Sequence, residues 1–192
     1  MSHRPRLWTV PFSDIKEGQN RLDYELDLDE LGITEHEVAE NPSFETLVGR
    51  VRVELNILRR GRRFLLDGTV RFRAKLQCAV CNEEFERDYA EEMTSEYVEE
   101  GDVPSPQGLL MDNQDRDRVA FQGDELQVAP LVRDTIHLAI PMAPKCRPDC
   151  KGLCPRCGKD LNEGDCDCPK NAGSPFAELA GIKEKNPEEK AG

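Results

Sequence analysis

Eight cysteines in four close pairs constrain this chain more than any other feature of its 192 residues. They stand at Cys78-x2-Cys81, Cys146-x3-Cys150, Cys154-x2-Cys157 and Cys166-x-Cys168. Five of them crowd into CKGLCPRCGKDLNEGDCDC, Cys150 to Cys168. Sulfur at that density either closes disulfides or binds metal. The opening segment MSHRPRLWTVPFSDIKEG has no apolar run of signal-peptide length, and no stretch nears the roughly 20 apolar residues of a membrane helix. A cytoplasmic protein is the expectation. The cytosol is reducing, so tightly spaced cysteines there are more often ligands or redox groups than structural disulfides.

Tetrahedral zinc takes four thiolates, and two ligands separated by two residues on a tight turn reach it without strain. Eight cysteines make two such sites, so two Zn2+ ions are expected. CPRCGKDLN is the more specific half of the signal. Pro155 shapes the turn, and Gly158 lets the chain pass under the sulfurs while backbone N–H groups bond the thiolates. Cys154, Cys157, Cys166 and Cys168 can close one site by themselves, leaving Cys78, Cys81, Cys146 and Cys150 to clip a strand hairpin to the end of a helix. Exchanging Cys150 and Cys154 between the sites suits the spacing nearly as well. An iron–sulfur cluster accepts the same four thiolates. A thiol oxidoreductase would use Cys78 and Cys81, but no thioredoxin-like βαβ pattern surrounds them.

The strongest periodicity precedes the first CxxC. In ETLVGRVRVELNI, Leu47, Val51, Val53, Leu55 and Ile57 alternate with Arg50, Arg52, Glu54 and Asn56, the period of a half-buried strand. Past RRGRR the parity reverses, and Val70, Phe72, Ala74 and Leu76 take the inner face. A two-residue loop at Gly61-Arg62 opposes Val51 to Phe72, Arg52 to Arg71 and Val53 to Val70. A third strand carries Phe85, Tyr89, Met93 and Tyr97, and folding back through CAVC it would oppose Ala74 to Phe85. Lys75 then meets Glu84, Arg73 meets Glu86 and Arg71 meets Asp88.

Shorter elements flank this meander. Arg6–Phe12 and Leu22–Leu26 read as edge strands, and Thr34 with Glu37 as a capping box on a short helix. APLVRDTIHLAIP reads as a helix with Pro130 in its first turn, Pro141 as its stop, and Leu131, Val132, Thr135, Ile136 and Ala139 on one face. His137, near that face, is expected to be partly buried and structural. The fold expected is α+β: an antiparallel β-meander sheet with one packed helix and a C-terminal cysteine-rich zinc knuckle. Residues 1–145 form the sheet domain, with a flexible acidic loop at 99–118. Residues 146–183 form the zinc-binding region and a short docking helix bearing Phe176, Leu179 and Ile182. Residues 184–192 form a disordered tail.

The formal net charge of −12 disfavours non-specific binding along nucleic acid and favours solubility or a basic partner. Gly49–Gln77 departs from it with nine basic and two acidic residues. The strand arginines have acidic neighbours in the expected register. Arg59, Arg60, Arg62 and Arg63 at the hairpin tip have none, and an exposed guanidinium cluster suits phosphate oxygens, so these four are candidate RNA contacts. A deaminase would show H-x-E before its PCxxC, which this chain lacks. With only His3, His36 and His137, no Ser-His-Asp or P-loop arrangement is visible.

The chain resembles the YceD-like family of large ribosomal RNA subunit accumulation proteins. The resemblance rests on Cys78-Ala-Val-Cys81 after the basic strand, the acidic loop, LAIPMAP at Leu138–Pro144, CKGLCPRCGKDLNEGDCDC, and SPFAELAGIK at Ser174–Lys183. It implies a non-enzymatic factor of large-subunit biogenesis. Its partners would be ribosomal RNA or the pre-ribosomal large-subunit particle, or a basic ribosomal protein, with neither membrane nor small-molecule substrate. Some members lack the last cysteines, so the resemblance does not make the second metal site obligatory.

Overall fold

The computed structural model describes residues 7–33, 46–100 and 118–168. The capping box at Thr34 and Glu37, most of the acidic loop, the docking helix and the C-terminal tail lie outside these residues. In chain order the elements are β1 (Val10–Pro11), a 3-10 turn (Phe12–Asp14), β2 (Gly18–Leu26), β3 (Leu47–Arg60), β4 (Arg63–Gln77), β5 (Glu84–Glu99), β6 (Arg118–Phe121), β7 (Glu125–Leu126) and the helix α1 (Ala129–Ala139). The main sheet runs β2-β3-β4-β5-β6, and β1 pairs with β7 in a separate two-stranded ribbon. The architecture is α+β.

Period-two alternation builds the core. Val51, Val53, Leu55 and Ile57 from β3 are buried with Phe64, Leu66, Val70, Phe72, Ala74 and Leu76 from β4, and with Met93 and Tyr97 from β5. α1 lays Ala129, Val132 and Ile136 on that face, while Phe12, Phe64 and Phe121 meet at one end with centroids 4.6–5.6 Å apart. Each fully buried Leu, Ile or Phe contributes about 1.5–3 kcal/mol, so the long hairpin and its helix carry most of the stability.

Several expectations are corrected. The sheet is mixed, because β6 joins β5 in parallel. β3 and β4 keep the expected register from Arg52↔Arg71 through Arg60↔Arg63. Between Val48 and Arg52 a bulge breaks it, so Val51 does not face Phe72, and pairing resumes at Val48↔Arg73. β4 and β5 pair two residues out of the expected step: Phe85 faces Leu76, and Ala74 faces Arg87. The connection Cys78–Glu83 has six residues instead of four. Both offsets are even, so no side chain changes face.

The charge ladder shifts accordingly. Lys75 meets Glu84 at 2.8 Å and Arg73 meets Glu86 at 3.9 Å, but Asp88 goes to Arg73 at 2.7 Å, and Arg71 turns to Glu54 at 3.5 Å. Glu54 lies equally close to Arg52, which separates two guanidinium groups that the register sets opposite one another. Leu22–Leu26 belongs to the longer edge strand β2. Among the described residues of Arg6–Phe12 only Val10–Pro11 is strand, since the chain turns at Phe12. Glu99 and Arg118, expected in the acidic loop, end β5 and begin β6. α1 has its proline in the first turn and ends before Pro141, but His137 is exposed rather than partly buried.

Candidate metal centres

The two CxxC turns have one backbone geometry. Cys78 N–H bonds Glu83 O at 2.8 Å and Asn82 N–H bonds Cys78 O at 2.9 Å. In the second turn Cys154 N–H bonds Lys159 O at 2.8 Å and Gly158 N–H bonds Cys154 O at 2.9 Å. Asn82 and Gly158 both take positive φ, 64° and 72°. Asparagine and glycine are the residues that accept this conformation most readily. Only the glycine version was legible as a knuckle in the sequence. Each turn closes over six residues, Cys78–Glu83 and Cys154–Lys159, and in the first this closure goes with the two-residue register offset of β5.

The structure brings the eight cysteines into two groups, Cys78, Cys81, Cys146 and Cys150, and Cys154, Cys157, Cys166 and Cys168, with the four sulfurs of each within 4.8 Å of one another. Each group could hold a metal ion. Cys78 and Cys150 sulfurs are 3.9 Å apart, Cys81 and Cys146 3.7 Å, Cys154 and Cys166 3.4 Å. A tetrahedral cation with metal–sulfur bonds of about 2.3 Å needs sulfur–sulfur edges of about 3.8 Å. A disulfide needs about 2.05 Å, and all eight cysteines are free.

The thiols of each group are electrostatically unequal. The N–H groups of Cys146 and Cys81 hold Cys78 at about 6. Those of Cys157 and Arg156, with the Cys166 thiol, hold Cys154 at about 6. Opposing them, Cys168 is raised to about 12 by its hydrogen bond with Cys157 and by burial. At Cys81 the Glu83 N–H lowers the pKa, but burial and the neighbouring thiols outweigh it and raise the group to about 12. Burial also raises Cys146. Cys78 in one group and Cys154 in the other are thus the thiols that backbone N–H groups favour as thiolates, the form that binds a cation.

The centres interlock with the sheet and with each other. Arg87, beside Phe85 on the inner face of β5, donates to Lys145 O at 2.7 Å, next to Cys146. Ala79 N–H bonds Pro144 O at 2.8 Å, and Leu153 N–H bonds Val80 O at 3.2 Å. Asn162, between the ligands of the second group, points its amide at Cys150 of the first, with Nδ2 3.5 Å from Sγ. The sequence carries no periodic or motif signal for Arg87 or Asn162 in these roles. The "LN" of CPRCGKDLN is where Asn162 stands.

The hairpin tip divides by strand parity. Arg59 and Arg62 turn to the inner side, against the Phe12, Phe64 and Phe121 cluster. Arg59 donates to the carbonyls of Phe12 and Ile15 and lies 3.9 Å from Glu17. Arg62 meets Glu99 at 3.0 Å, Asp124 at 3.3 Å and Gly123 O at 2.8 Å. Arg63 faces outward, 3.5 Å from Glu96. The expectation that these four lack acidic partners therefore fails for three, and of the four only Arg60 has no ion pair among the described residues. The alternation of β3 already put Arg59 on the buried parity. The acids came from segments distant in sequence.

A family model described as "Large ribosomal RNA subunit accumulation protein YceD" matches residues 66–183, from inside β4 through both cysteine groups. The chain belongs to the YceD family. Among its YceD relatives are the chloroplastic proteins named "Large ribosomal RNA subunit accumulation protein YCED homolog 1". The one from Arabidopsis thaliana is 29% identical over 140 residues, 62% of this chain and 43% of the relative. The one from Zea mays is 31% identical over 147 residues, 63% of this chain and 50% of the relative. An uncharacterized protein of Mycobacterium tuberculosis is 37% identical over 57 residues, 29% of this chain and 28% of its own. The chain thus spans about half the length of the plant YceD relatives. No solved structure matches it.

Proposed function

We propose that this YceD protein is a non-enzymatic factor in large ribosomal subunit biogenesis, required for accumulation and maturation of large-subunit ribosomal RNA, with Zn2+ in both cysteine groups. The carrying observation is the family match over residues 66–183, which takes in both groups and the strands that hold them. All eight cysteines serve as ligands in this reading. Four sulfurs at tetrahedral spacing occupy every position of a zinc ion, so the metal is structural and has no open site for a substrate. A multi-iron cluster would spread its cysteines around several atoms, farther apart than the spacing here. A thiol redox role for Cys78 and Cys81 is disfavoured by their burial at 1% and 6% exposure, since a redox thiol must be reached.

The partner in this reading is ribosomal RNA or the pre-ribosomal large-subunit particle in the cytoplasm. The net charge of −12 attracts a basic ribosomal protein and confines RNA contact to local cationic points. Of the four tip arginines, Arg60 and Arg63 face outward and are the ones to reach phosphate. Arg59 and Arg62 hold the tip together beneath them. No helix among the described residues is long and apolar enough to cross a membrane. In this reading the sheet domain 1–145 and the cysteine region 146–183 work together, which the Leu153 N–H bond to Val80 O supports.

Depletion in the source cell tests this reading. The ratio of large- to small-subunit ribosomal RNA should fall and large-subunit precursors should accumulate. An unchanged ratio with normal precursors rejects it.

A further inference from the structure

We propose that the two cysteine centres bind metal cooperatively, and that Asn162 is the positioning residue that couples them. This rests on the reading of both groups as zinc sites and goes beyond it, because two adjacent sites can fill independently.

The coupling is built from the loop that the second centre closes. Asn162 lies between Cys157 and Cys166, so the position of its side chain depends on whether that loop is ordered. Its Oδ1 accepts the N–H of Lys151 at 2.8 Å, which fixes the amide orientation and turns Nδ2 toward Asp160 Oδ1 at 2.7 Å and Cys150 Sγ at 3.5 Å. Asp160 in turn accepts the Asn162 N–H at 2.8 Å. The donor that meets a sulfur of the first centre is thus held in place by the second. A hydrogen bond to a ligating thiolate disperses its charge and orients it, and such outer contacts alter metal affinity by about 10- to 100-fold.

The backbone transmits in the same direction. Cys150 and Cys154 belong to different centres and have only Lys151-Gly152-Leu153 between them. Leu161 N–H bonds Gly152 O at 2.9 Å, and Leu153 N–H bonds Val80 O in the first CxxC turn. Ordering the second loop therefore restricts the Cys150 backbone and presses it onto the Cys78–Cys81 turn. Coupling between binding sites is reciprocal, so metal in the first centre strengthens the second by the same factor.

Cobalt(II) titration of the metal-free full chain tests this, because thiolate-to-cobalt bands report each centre. The intact protein should fill both centres in one steep step. Cys157→Ser, which removes a ligand of the second centre, should weaken the first by ~10- to 100-fold. Asn162→Ala should do the same while both centres remain fillable, and should shift the charge-transfer band of the first to lower energy, since sulfur loses a hydrogen bond. Asn162→Asp keeps the acceptor for Lys151 and replaces the donor with an anion, so it should weaken the first centre further. In the Cys157→Ser background Asn162→Ala should add little. Two independent binding steps, with the first unchanged in Cys157→Ser and Asn162→Ala, overturn the coupling and leave the zinc reading intact. No cobalt or zinc bound at all overturns both. An Asn162→Asp protein matching the intact one removes Asn162 from the coupling.

Discussion

A β-carbon placed on Gly152 would lie 2.5 Å from Val80 Cγ1 and 2.8 Å from Val80 O. Gly152 also holds φ at +74°, where a side chain is strained whatever the space. The second knuckle therefore touches the first through a glycine that has no substitute. Gly152→Ala should destabilise the protein by about 1–3 kcal/mol from backbone conformation alone, with the collision added. Gly158 has similar φ but open space around it. Gly158→Asn, which installs the residue used at Asn82, should cost much less. Thermal unfolding of both variants checks the contrast, and equal losses would show that contact with Val80 is unimportant.

The metal content should be two Zn2+ per chain by elemental analysis. Cys157→Ser should retain one ion and leave the sheet folded, because its centre lies within fifteen residues of chain. Cys78→Ser should do wider damage, since that centre ties β4 and β5 to the segment after α1 some seventy residues away. Circular dichroism with metal analysis separates the two cases. Iron in place of zinc, or no metal, rejects the assignment.

The metal-free protein should show a distinctive thiolate titration. Cys78 and Cys154 are held at about 6, below the ordinary value of 9.0. Their ionised forms therefore stabilise the metal-free fold fully above pH 9, progressively less below it, and not at all once pH falls through 6. Absorbance near 240 nm should rise in a first step around pH 6, a step that Cys78→Ser and Cys154→Ser should each diminish. Loaded protein should release metal as acid protonates the same sulfurs. A single step above pH 8 would show that the backbone N–H groups do not act on these thiols.

The tip arginines should separate by face. Arg59→Ala should lower stability by about 1–2 kcal/mol, as a partly buried guanidinium leaves two aromatic rings and three carbonyls. Arg62→Ala should also lower the unfolding temperature, since Glu99 and Asp124 both lose their guanidinium partner. Arg60→Ala should leave it unchanged. If the outward pair contacts phosphate, Arg60→Ala and Arg63→Ala should each flatten the log–log salt dependence of RNA binding by roughly 0.7–0.9. Unchanged binding and slope would direct attention to the acidic surface and a basic protein.

Short-range pattern alone determined the half-buried strands, their inward faces, the helix with its two bounding prolines, and the supply of thiolates for two centres. A side chain's face depends on position modulo two and a helix on period and prolines, both written in consecutive residues. Registers were less legible, because an offset of two residues at the Val48–Arg52 bulge or the Cys78–Glu83 loop leaves every face unchanged. The parallel strand β6, the carboxylates beneath Arg59 and Arg62, and the reach of Asn162 to Cys150 were decided only by the tertiary structure. Each joins groups whose proximity depends on how loops close, and no local periodicity encodes that distance.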